Sequence, residues 1–106
     1  MILDFINISL IREFFNLKEK EEINLSEMRE KIFPNLKKAQ KQEKLCLLRD
    51  RLQAMPRSIF EIKKTNGKWE YRLITENVLI ENFIFPNSEK QGMALKLEDR
   101  WHIIEI

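Results

Sequence analysis

Cysteine and histidine each occur once in the 106 residues, glycine twice and proline three times. A single Cys excludes an internal disulfide framework and a Cys-based zinc site. One His excludes paired-His metal sites and leaves little material for acid–base chemistry. Two glycines leave little room for a phosphate-cradling loop or a flexible linker. There is also no uninterrupted apolar run of about 18–20 residues. The opening stretch MILDFINISLIREFF is broken by Asp4, Arg12 and Glu13. It lacks a basic start and a small-residue cleavage site, so it reads as neither a signal peptide nor a membrane span. These absences argue against a stand-alone enzyme, a cofactor, a bound metal and a membrane partner. They make a cytoplasmic chain with a reduced thiol the expectation.

What is present is a globular composition, 43% hydrophobic and 34% charged, long enough for one domain spanning 1–106 with one core. The net charge of +2 is unevenly spread. Residues 1–28 carry net −3, residues 29–57 net +6 and residues 58–106 net −1. A cationic block between acidic flanks is the electrostatic footprint expected of a polyanion-binding surface. The competing reading is a solvated helix face.

The first half reads as helices. Leu3, Ile6, Leu10 and Phe14, with Ile2, Phe5, Ile8, Ile11, Phe15 and Leu17 beside them, give helix 2–17 a wide apolar face. Such a helix is expected to be largely buried, or to lie in a homodimer interface. Lys18 to Glu22 reads as a solvated helix end or loop. Asn24 is placed to cap a short helix, with Glu27 three residues on. Leu25, Met28 and Ile32 mark its buried face, and Pro34 ends it. Asn35 is expected to cap the long third helix, 36–54. Leu45, Leu48, Leu52 and Met55 form a core stripe there, which continues backwards into Lys41 and Lys38. The helix is thus apolar at its end and cationic at its start. Cys46 beside the stripe reads as a small buried hydrophobe.

The second half reads as strands. Asn66-Gly67 between apolar runs predicts a hairpin over 59–74, because both residues tolerate positive φ. Residues 77–85, rich in Ile, Val and Phe, fit a strand or a short helix and are read as a strand, Pro86-Asn87-Ser88 as a turn, and 93–97 and 101–106 as two strands paired across Glu98-Asp99-Arg100. The fold class is α+β: three N-terminal helices, a β-hairpin and additional C-terminal strands.

Helix, helix, proline turn, helix and Asn-Gly hairpin is the element order of a winged-helix domain. Leu45-Cys-Leu-Leu48-Arg49-Asp50, a strand at 59–64 and Gly67-Lys-Trp-Glu-Tyr71-Arg72-Leu73 resemble the winged helix appended to Dam-replacing restriction endonucleases. The resemblance covers residues 25–74. It departs where the family often has a glycine after the recognition helix, here Ala54-Met55-Pro56. It implies a third helix in the major groove of duplex DNA and a wing on the backbone. Independently of any family, a groove-docking helix needs a cationic first half and a buried second half. On this reading Lys37, Lys38, Lys41 and Lys44 neutralise phosphates, and Gln40 or Gln42 reads adenine edges. Lys63, Lys64 and Lys68 at the hairpin tip hold the flanking backbone. The chain is then a DNA-binding regulatory or accessory module.

Asp50 followed by Glu61-Ile62-Lys63 has the D…ExK order of metal-dependent nucleases, but Asp50 falls inside the clearest helix. His102 has no nucleophile or acid placed beside it by motif. Trp69, Tyr71 and Trp101 could stack bases, although Trp69 and Tyr71 share strand parity, which favours packing on one face. The rival class is a protein-interaction module, or a small inhibitor or subunit of a larger complex. The apolar first helix and residues 75–106 would supply its surface.

Overall fold

A computed structural model describes residues 1–17 and 24–105. The Lys18–Glu22 segment and the final residue of the 101–106 strand lie outside the described residues. Three helices come first: α1 (Phe5–Phe15), α2 (Leu25–Ile32) and α3 (Lys38–Ala54). Five antiparallel strands follow, in two sheets. β1 (Phe60–Thr65) and β2 (Lys68–Leu73) form a hairpin, and β3 (Val78–Ile84), β4 (Gln91–Leu97) and β5 (Arg100–Glu105) form a three-stranded meander in that order. A single 3-10 turn, Thr75–Asn77, joins the sheets.

Local chemistry sets the helix ends. Asp4 caps α1 by accepting from the Asn7 N–H at 2.9 Å, so the helix begins at Phe5 and not at residue 2. Asn24 caps α2 by accepting from the Glu27 N–H at 2.9 Å. Phe33, constrained by Pro34, leaves helical geometry (φ −122°, ψ 76°) and closes α2. Asn35 does not cap α3. It takes a left-handed turn (φ 68°), and Lys37 is the capping residue. The Lys37 N–H donates to the Gln40 side-chain oxygen at 3.3 Å.

Leu10, Ile11 and Phe14 of α1, Met28 and Ile32 of α2, and Leu48, Leu52 and Met55 from α3 and its end build the helical side of the core. Each such buried side chain contributes about 1.5–3 kcal/mol. Helix 2–17 was expected to be buried or dimeric. Its central face lies in the chain's own core, and Met1, Ile2 and Phe5 are what it leaves exposed. The hairpin joins this core at its base. Phe60 is fully buried, edge-on to Phe14 with ring centroids 5.1 Å apart, and Leu73 lies opposite it in register. Beyond the base the hairpin outruns the core, and residues 63–70 are exposed. Asn66 (φ 52°) and Gly67 (φ 79°) make its turn with the positive φ values that a tight hairpin requires.

One face of the meander closes the other side of the core through Val78, Met93, Leu95 and Leu97. Asn77 fixes it to the hairpin. Its side-chain amide donates to the Ser58 carbonyl at 2.8 Å, and its own carbonyl accepts from the Glu98 N–H at 2.8 Å.

Candidate nucleic-acid interface

Three of the four lysines at the start of α3 lie on one stripe, with Lys38 to its side. Lys37, Lys41, Lys44, Leu48 and Leu52 recur at intervals of three and four, so they share one side of the helix. The apolar end of that stripe enters the core. The cationic end runs past it, along the end of α2. Lys41 Nζ lies 3.7 Å from Glu30, and the Lys41 carbonyl accepts from Arg29 at 3.1 Å. Lys44 Nζ stands 5.2 Å above the Phe33 ring. Gln40 is engaged at the N-cap. Lys37 and Lys38 are exposed and have no side-chain partner among the described residues.

The opposite side of α3 carries Ala39, Gln42, Glu43, Cys46, Asp50 and Gln53. This is the side a recognition helix would turn to a groove. It holds two carboxylates and no lysine. Gln42 donates to the half-buried Cys46 sulfur at 3.6 Å. The expectation of a cationic first half therefore holds along the chain, but Lys41 and Lys44 lie over the end of α2 and only Lys37 and Lys38 are left exposed without a partner among the described residues. The sequence stripe already placed Lys41 with Leu48, and Glu30 and Phe33 are the partners it did not reveal.

At the hairpin, Lys63 and Lys64 leave β1 and Lys68 starts β2, all exposed. Lys63 pairs with Glu61 at 3.2 Å, and Lys64 stands 5.3 Å over the Trp69 ring. Lys68 has no partner among the described residues. Trp69 shares a face with Tyr71 and Leu73 but is 48% exposed, because the core ends before it. Arg72 binds Glu61 at 2.7 Å, and with Lys63 it holds the Glu61 carboxyl below the usual range. At the N-terminal end of α1 the Asn7 backbone N–H and the Arg51 guanidinium lower the Asp4 carboxyl in the same way. Asn7 completes that cluster. Its amide donates to the Ile2 carbonyl at 2.6 Å and accepts from Arg51 at 3.4 Å.

Charge is segregated in space as well as in sequence. Residues 29–73, which build α3, the hairpin and the second half of α2, hold 13 basic and 5 acidic side chains, net +8. Residues 74–105 hold 3 and 6, net −3. The outer face of the meander carries an apolar patch among Glu81, Lys96 and Glu105. Leu79, Trp101 and Ile103 are about half to two-thirds exposed there, with Phe83, Phe85 and Ala94 between or beside them. The rings of Phe83 and Phe85 lie over Gly92, where a Cβ would meet them at 2.7 and 2.6 Å.

No grouping of three His, Cys, Asp or Glu able to hold a metal occurs among the described residues. Asp50 is exposed beside Arg49, and Glu61 is engaged by Arg72 and Lys63, so the nuclease-like pattern is not assembled. His102 is half-buried on the inner face of β5. No described helix is long and apolar enough to cross a membrane. No family model, curated protein or solved structure matches the chain.

Proposed function

We propose that the protein is a duplex DNA-binding module of winged-helix type that grips the phosphate backbone with the first turns of α3 and the tip of the β1–β2 hairpin. The observation that carries this reading is the +8 charge of residues 29–73 against −3 in the strands that follow. Lys37, Lys38 and Lys68 are the contacts ready to act. Lys41, Lys63 and Lys64 are held by exposed ion pairs or an aromatic face, worth about 1 kcal/mol or less each, and exchange those for phosphate at small cost. Glu43 and Asp50 on the outward side of α3 would repel a groove lined by phosphates. The binding is therefore largely independent of sequence.

The test is fluorescence anisotropy with a labelled random duplex at two salt concentrations. Affinity should fall as salt rises, with a slope of about −0.9 per neutralised phosphate. Replacing Lys37, Lys38 and Lys68 with Gln should weaken binding and flatten that slope by up to about 3. A variant with unchanged affinity and slope contradicts the reading. The second reading, a protein-interaction module or subunit of a larger complex, is favoured by the exposed apolar outer face of the meander. It predicts no salt-dependent DNA binding and recovery of a stoichiometric protein partner from a nuclease-treated lysate.

A further inference from the structure

We infer that β5 is the edge through which two copies of this chain pair, joining their meanders into one six-stranded antiparallel sheet. Among the described residues β5 has a single strand neighbour, β4, so its other side is an open edge there. Natural edges are shielded by charge within the strand, proline or a bulge. β3, the opposite edge, has that protection in exposed Glu81 and Asn82 at its middle. β5 has none. Its ladder with β4 is unbroken from Arg100 to Glu105, and between those two charges stand Trp101, His102, Ile103 and Ile104. Trp101 is 46% and Ile103 62% exposed.

The backbone parity and the side chains select one register. The two-residue turn at Glu98-Asp99 closes on the Leu97–Arg100 pair. In the alternating ladder this directs the N–H and C=O of Trp101, Ile103 and Glu105 to the open edge. A two-fold axis perpendicular to the sheet keeps both outer faces on one side and joins those residues to their equals. Centred on His102, the pairing would set Glu105 opposite Asp99 of the second copy, two like charges. Centred on Ile103, it sets Ile103 against Ile103 and Trp101 against Glu105 of the second copy. Lys96 Nζ already stands 5.8 Å over the Trp101 ring. The arriving carboxylate therefore meets a cation on each side of the axis. Glu105 is free to make this exchange, because its present pair with Lys90, at 3.2 Å, is exposed.

The test is the mass of the full chain by light scattering or sedimentation across a wide concentration range, without nucleic acid, so its outcome is separate from that of the DNA reading. The expected result is a concentration-dependent species of twice the 12.9 kDa chain mass. Ile103→Lys should leave a monomer with an unchanged circular-dichroism spectrum. Lys96→Glu should weaken the dimer roughly tenfold through two symmetric contacts, and adding Glu105→Lys should restore it. A monomer at every concentration overturns the inference. So does a dimer indifferent to Ile103→Lys, or a monomer that takes up a foreign peptide strand along β5.

Discussion

The β1–β2 and β4–β5 hairpins have the same plan, two antiparallel strands joined by a two-residue turn, and opposite surroundings. β1–β2 is anchored at its base by Phe60 and Leu73, and its far half stands in solvent with three lysines and Trp69. β4 is buried from Gly92 to Ala94, at Leu95 and at Leu97, because it is the central strand of a sheet whose inner face closes the core. The same local geometry yields an arm in one place and a wall in the other. Position relative to the helices decides which. The arm suits contact with a polyanion, and the wall presents an apolar outer face and an open edge.

The largest expected effect comes from cutting the arm off from the helices. Phe60→Ala removes a fully buried ring packed edge-on against Phe14 and should cost about 3–5 kcal/mol in chemical denaturation. Trp69→Ala, on the same strand face but half exposed, should cost well under half of that. Equal losses would show that the tip is packed and not an arm.

The two turns differ as well. Gly67 sits at φ 79° with open space around it, so Gly67→Ala should destabilise by about 1–2 kcal/mol through backbone strain alone. Glu98 occupies φ 57° at the other turn without glycine's freedom. Glu98→Gly should therefore stabilise by up to about 1 kcal/mol, measured by the shift in denaturation midpoint. Opposite signs from the two glycine exchanges would sharpen the comparison; matching signs would break it.

Acid gives the smallest effect. Asp4 and Glu61 titrate lower in the folded chain than in the unfolded one. Their contribution is complete above the unfolded-state pKa and fades as pH falls through the folded values. Stability should thus decline below about pH 4. Asp4→Asn should flatten that decline, while Glu61→Gln, whose partners Arg72 and Lys63 are far more exposed than Arg51, should change it less.

Much of this was legible before the fold was known. Asn24 and Asn66-Gly67 act within a few residues of themselves, so capping and turn chemistry read directly from sequence. The Leu48–Leu52–Met55 stripe follows from periodicity, and the three C-terminal strands were read from short apolar runs, the first of which fitted a helix as well. What distant contacts decide was not legible. Asn35 reads as a cap, but the turn after Pro34 takes it into the left-handed region and passes capping to Lys37. Parity correctly paired Trp69 with Tyr71, but burial depended on how far the core reached along the hairpin. The division of α3 along its length was legible, and the structure has Leu48 and Leu52 buried and Lys37 and Lys38 exposed. That Lys41 and Lys44 would lie beside Glu30 and Phe33 was a matter of how α2 crosses α3.

The most direct measurement is an amide NMR titration of the labelled chain with a short duplex. The account predicts shifts at residues 37–44 and 63–69, lost at high salt, with Leu79, Trp101 and Ile103 unmoved. Shifts centred on the meander, or on Gln42, Glu43, Cys46 and Asp50 alone, would contradict it.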